Sequence, residues 1–159
     1  MTQAAAIQLH KKRISPARLV EVAYVPFKNQ FAERHIAADF NIPYTLPDVE
    51  CDIAKTAWVL TIFFSNAVRY TPEWGKLQVR GTNKENRLTL SVQNSGYGIP
   101  PEKVHAMFDA LAEGVDAPEY GRSLALLLAR EIIEAHGGKI GAYSEPGELS
   151  RFFIEMPIE

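Results

Sequence analysis

The sequence has a single cysteine, Cys51, so no disulfide can form within the chain, and the composition suits a reducing compartment. No apolar run approaches the roughly 18 residues of a membrane span. The start, MTQAAAIQLHKKR, puts its basic residues after its mildly apolar part, the reverse of a secretory signal. A cytoplasmic domain with no membrane contact of its own is therefore expected, whether or not a parent protein is anchored. Charge of one sign is also lacking: 17 basic and 19 acidic residues are interspersed for a net charge of −2. That balance gives no global attraction to nucleic acid, and any anionic ligand has to be held locally. The four histidines, His10, His35, His105 and His136, lie far apart with no cysteine or carboxylate at ligand spacing, so no structural metal site is expected. Repeats and low-complexity tracts are missing too.

What is present is a chain of 159 residues, 47% hydrophobic and 23% charged, enough for one domain with a real core. Ser15 and Pro16 start a helix in which Leu19, Val22, Ala23, Phe27 and Phe31 recur at helical spacing, with a kink expected at Pro26. HIAADFNI reads as a strand and PYTLPDVE as a loop. Asp52 can cap a second helix with Ile53, Ala57, Leu60, Phe64 and Ala67 on its buried stripe. KLQVRGT and RLTLSVQ alternate and read as a hairpin, PEKVHAMFDAL as a short helix, SLALLLAREIIEAH as a long helix closed by Gly137 and Gly138, and KIGAYS with RFFIEM as a last hairpin. Helices and mostly antiparallel strands in this order imply an α+β fold, a two-layer sandwich whose mixed, mostly antiparallel sheet is covered on one face by helices. Residues 1–14 read as a tail or linker remnant and 15–159 as the domain.

Three stretches could carry chemistry. Leu88, Leu90 and Val92 share one face of a strand, and continued alternation turns Asn94 to that inward side, just before the glycines at 96 and 98. Such glycines serve a tight turn or a close backbone approach to a flat or charged group. On the second helix Ile62, Asn66, Arg69 and Tyr70 fall on one side at spacings of three and four. An asparagine oxygen there suits Mg²⁺, and an arginine one turn on suits phosphate, although an ordinary polar helix edge has the same spacing. Gly121 leads directly into the long helix, where free N–H groups can hold phosphate or simply open a core helix.

The order of these stretches resembles the ATP-binding catalytic domain of sensor histidine kinases, the GHKL or Bergerat fold shared with anti-sigma-factor kinases, Hsp90, gyrase and MutL. NAVRYTP is similar to the N box, NSGYGIPPE to the first glycine box, MFDAL to the F box and GRSLAL to the second glycine box. The similarity runs from about Ser15 to the end. It implies Mg·ATP as ligand, with Asn66 on the metal, Arg69 on phosphate, Tyr70 at the nucleotide's border, Asn94, Gly96, Gly98 and Ile99 on the adenine side, and Gly121, Arg122, Ser123 and Leu124 at the phosphate end. It also implies two partners, a histidine-bearing dimerisation domain and a response regulator.

The pattern is broken in places. Asn94 stands where the family usually has an aspartate accepting from the adenine amino group, and a neutral acceptor forfeits roughly 1–2 kcal/mol, about tenfold in affinity. GRSLAL replaces the usual G-x-G-L-G-L, Ile62 stands where a polar residue is common, and AEGVDAPEY brings Glu113, Asp116 and Glu119 near the expected phosphates. No segment resembles the phosphoaccepting helix: His10 reads as a solvated tail residue and His136 as structural. Two functions remain compatible with the pattern: a kinase domain transferring the γ-phosphoryl group to a histidine on a dimerisation domain, and a degenerate domain with weak or no nucleotide binding acting through protein contacts. A serine kinase of the anti-sigma-factor type is a more distant third.

Overall fold

The computed structural model describes residues 7–96, 121–145 and 147–159, with side chains from 124 onward in the second of these ranges. The elements in chain order are β1 (Lys11–Ile14), α1 (Pro16–Tyr24), a 3₁₀ turn (Val25–Phe27), α2 (Lys28–Glu33), β2 (Ala37–Asn41), β3 (Val49–Asp52), α3 (Ile53–Tyr70), β4 (Lys76–Lys84), β5 (Arg87–Ser95), α4 (Gly121–Ala135), β6 (Lys139–Glu145) and β7 (Leu149–Pro157). One sheet has the order β2-β4-β5-β7-β6; β2 runs parallel to β4 and the remaining pairs are antiparallel. A small second sheet pairs β1 with β3.

Strand alternation separates the two faces of the large sheet. Leu88, Leu90, Val92 and Asn94 of β5 are buried, as are Ser150, Phe152, Ile154 and Met156 of β7, and the helices lie on that side. Helix α3 runs through the middle of the helical layer, packed against α1 and α4. Its predicted stripe is buried at Ala57, Leu60, Phe64 and Ala67 and widened by Val59 and Phe63. Phe63 stacks on Phe152 at 5.4 Å, which fastens helix to sheet, while Tyr24 meets Phe31, Phe40 and Phe64 at the α1 end.

The expected two-layer sandwich is therefore observed, with local differences. Part of the segment expected to be a tail is strand β1, and the end of the expected PYTLPDVE loop is strand β3. Each is four residues long and finds its hydrogen bonds about forty positions away, with Lys11 opposite Asp52 and Ile14 opposite Val49. Pro26 ends α1 instead of kinking it: the chain passes through the 3₁₀ turn before α2 resumes, because proline offers no N–H to the preceding turn. Helix α4 starts at Gly121, two residues earlier than SLALLL implied. The helix expected over PEKVHAMFDAL lies outside the described residues.

Asp52 ends β3 and caps α3. Its Oδ1 accepts from the Lys55 backbone N–H at 3.0 Å and its Oδ2 from the His10 backbone N–H at 3.0 Å, with the Lys55 ammonium 3.4 Å away. The imidazole of His10 is exposed as expected, but its backbone is anchored. The Asp52 N–H donates in turn to Nε2 of buried His136, whose Nδ1 donates to the Ile132 carbonyl at 2.8 Å. Burial alone would raise the Asp52 carboxyl; the two backbone donors and the Lys55 ammonium overbalance it and hold the group below its ordinary value. A depressed carboxyl stabilises the fold at pH above the ordinary carboxylate value, and that contribution disappears as pH falls through the lowered one. Urea unfolding should show Asp52→Ala less stable by about 1–2 kcal/mol at pH 7, the size of a lost helix cap. The difference between wild type and Asp52→Asn should shrink in acid, and an equal difference at pH 7 and pH 3 would contradict this account.

Candidate nucleotide site

Helix α3 delivers two of the predicted residues to one place. Asn66 is 7% exposed, on the side of α3 that faces α4, and Arg69 follows one turn later at the surface. Both line a cleft of ≈ 390 Å³ whose α3 wall also includes Ile62 and Trp58 and whose opposite wall is Ala125 and Leu126 of α4. Neither the Asn66 amide nor the Arg69 guanidinium bonds to a described residue, so their polar atoms are available to a ligand in the cleft. Gly121 opens α4 one turn before Ala125.

Asn94 occupies the end of β5 and is 3% exposed. Its Oδ1 accepts from the Ser150 hydroxyl at 2.7 Å and its Nδ2 donates to the Ser95 carbonyl at 3.1 Å. The alternation that turned Asn94 inward was thus correct, but its oxygen and one N–H of its amide already bond within the fold. Gly96 follows at φ +134°, a conformation that L residues avoid, and a Cβ there would sit 2.7 Å from Pro72 Cδ and 2.9 Å from the Tyr70 carbonyl. Its lack of a side chain is explained by contact with the C-terminal end of α3. That same end is held from the other side, where Arg34 Nη2 donates to the Thr71 carbonyl at 2.6 Å and the Trp74 ring stacks on His35 at 4.2 Å. Trp74 and His35 both have positive φ, 69° and 57°, so this stack stabilises two backbones that are unfavourable alone.

The structure brings together Asn66, Arg69 and the first turns of α4, and brings Asn94 and Gly96 against the end of α3 where half-buried Tyr70 sits. Leu124 is 58% exposed and, unlike its neighbour Ala125, is not among the residues lining the cleft. Gly98 and Ile99, like the F-box segment, lie outside the described residues; of Arg122 and Ser123 the structure gives only the helical backbone. Ser150 was missed from the sequence. Its signal was there, because Phe152, Ile154 and Met156 share a face and the same alternation leads back to position 150.

A mixed five-stranded sheet covered on one face by helices, with a cleft between the central helix and the start of α4, is the architecture that the resemblance implied. Residues 51–159 match the family described as histidine kinase-, DNA gyrase B-, and HSP90-like ATPase, and the chain belongs to that family. It is 28% identical over 155 residues, 95% of its length, to the adaptive-response sensory kinase SasA of Synechocystis sp., of which it spans 40%. Among solved structures it is similar to the catalytic domain of the histidine kinase ThkA, with a TM-score of 0.78, 27% identity, and coverage of 96% of this chain and 97% of that one. ThkA has also been solved in complex with the response regulator protein TrrA, and there the match covers 95% of this chain and 42% of that one, at 26% identity and a TM-score of 0.78. Full-length ShkA in complex with AMPPNP matches with a TM-score of 0.83 at 26% identity, over 97% of this chain and 32% of that one. The domain is thus homologous to sensor kinase catalytic domains, whose parent chains are longer. Among the described residues, no helix is long and apolar enough to cross a membrane.

Gly96→Ala tests the structural explanation of that glycine. It should lose more than about 1 kcal/mol in urea unfolding without any nucleotide present, because both the dihedral and the Pro72 contact oppose a methyl group. An unchanged midpoint would return Gly96 to a purely ligand-facing role.

Proposed function

We propose that this chain is the ATP-binding catalytic domain of a cytoplasmic two-component sensor kinase, which binds Mg·ATP and passes the γ-phosphoryl group to a histidine on a dimerisation domain, with a response regulator downstream. The observation that carries the proposal is the Asn66 amide, without a partner among the described residues and buried in the wall of a cleft whose other side is the start of α4. One protein oxygen suits Mg²⁺, which keeps waters and takes substrate phosphates for the rest of its shell. No cluster of three His, Cys, Asp or Glu occurs among the described residues, so a metal held mainly by protein ligands has no counterpart there. Bound Mg²⁺ would neutralise charge on the terminal phosphates. Arg69 would pair with a phosphate oxygen at the cleft mouth. Asn94 would take the adenine end, with Ser150 fixing the orientation of its amide. The AMPPNP bound by ShkA and the regulator bound by ThkA support the same reading.

A second reading, a degenerate module that acts through protein contacts, is favoured by one specific observation. The Asn94 oxygen already accepts from Ser150, so an adenine amino group gains less there than from a free carboxylate.

A thermal shift with Mg·ATP against Mg alone separates the two. At a hundredfold excess over its dissociation constant, nucleotide should stabilise the domain by about 2.7 kcal/mol. Asn66→Ala should abolish that shift, and Asn94→Asp should tighten binding about tenfold by supplying a charged acceptor. No shift in the wild type at millimolar nucleotide would leave the second reading in place.

A further inference from the structure

The helices cover one face of the large sheet, and the other face carries an organised row of side chains. Gln78, Gln93, Arg151 and Tyr143 are direct cross-strand partners on β4, β5, β7 and β6. Gln93 Nε2 donates to Gln78 Oε1 at 3.1 Å, Arg151 Nε donates to Gln93 Oε1 at 2.9 Å, and the Arg151 guanidinium lies over the Tyr143 ring, 5.5 Å from its centroid. The Tyr143 hydroxyl donates to Glu145. This chain of contacts consumes only Nε of Arg151; its two terminal nitrogens bond to no described residue. The adjacent row holds Arg80, Ser91 and Phe153, with the Phe153 ring laid over Gly141, where a Cβ would be 2.5 Å from it. Between the rows runs a groove of ≈ 360 Å³, continued by Thr82 and Thr89.

The charge on this face has the opposite sign to that of the chain. Strand β4 adds Lys76 and Lys84 to Arg80, none of them ion-paired with a described residue, whereas Glu155 is shared by Arg87 at 3.3 Å and Lys139 at 3.6 Å. Asp39 and Glu145 are the other carboxylates facing this way. Two strands and one row separate Arg80 from Arg151, about 12 Å from the usual strand spacings. Carboxylates three or four residues apart on an extended peptide span a similar distance. The hydroxyls and side-chain amides of the floor offer both donors and acceptors to peptide groups. Of the two aromatic rings in these rows, Tyr143 lies under Arg151 and Phe153 lies over Gly141, so the face lacks the run of successive stacking rings that single-stranded nucleic acid uses.

We propose that this open face binds an acidic, extended peptide segment of a partner protein, with its carboxylates on Arg80 and Arg151 and its backbone over Ser91 and Gln93. The site lies across the sheet from the nucleotide cleft and does not depend on nucleotide binding.

Fluorescence anisotropy tests it, with a labelled peptide of Glu, Thr and Ser carrying Glu at every fourth position, the same peptide with Gln for Glu, and a labelled single-stranded oligonucleotide. The Glu peptide should bind more tightly than the Gln peptide, and added salt should weaken it. Arg80→Gln, which lies outside the hydrogen-bonded row and should leave the unfolding midpoint unchanged, should weaken binding about fivefold, the worth of one exposed ion pair at its upper limit. Arg151→Gln should weaken it by at least as much. Equal binding of the two peptides, unchanged binding by Arg80→Gln, or tighter binding of the oligonucleotide would each overturn the proposal.

Discussion

The Asp52 carboxylate sits where the chain's far-separated segments meet. One oxygen caps α3, the other holds the backbone at the entry to β1, and the adjoining N–H reaches the imidazole that closes α4. A buried carboxylate is costly without donors, so each of these contacts supports the rest: remove one and the remaining charge is left less well compensated. The direction in which α3 leaves β3 is therefore set at its first turn. Asn66 lies fourteen residues further along, and its position against α4 is inherited from that start. Cys51, next in the chain, belongs to the same dry region; burial pushes its thiol up and makes it a packing group instead of a reactive one.

The sheet divides the chemistry of the molecule. On the helical side, Asn94 and Ser150 are two polar residues on strands otherwise filled with Leu, Val, Phe, Ile and Met, and they satisfy each other across the β5–β7 register. On the other side the polar groups run outward in rows and keep free valences. A residue shifted by one position along β5 or β7 would exchange these environments, which is why the register, with Leu90 opposite Ile154, matters more here than the identity of any single surface residue.

Much of this was legible in the sequence because it depends on period. The 3.6-residue stripe of α3 and the two-residue alternation of β5 placed Asn66 and Asn94 before any coordinates. What could not be read depends on partners distant in sequence. Strand β1 comes from a basic stretch with no alternation, and β3 from four residues after Pro47; neither exists without the other. His136 was legible as structural, but its link to Asp52 spans 84 positions. The glycine at 96 was visible as a turn, whereas the helix end that forbids a side chain there, at Tyr70 and Pro72, is known only once the sheet and α3 are assembled. Trp74 is the sharpest case. A bulky residue in left-handed backbone contradicts local preference, and the stacked His35 that stabilises it is 39 residues away in a different segment.

Helix α4 is moored at its far end. His136 ties that end to β3, and Gly138 presses so closely on the Glu155 carbonyl that no side chain fits between them. Gly121 lies about 21 Å away along the axis, at 1.5 Å per residue. The helix consequently has the mechanics of a lever with its pivot at the imidazole. A tilt of about 3° there would move the opposite tip by about 1 Å, and the wall of the gap beside Asn66, at Ala125 and Leu126, would shift in proportion.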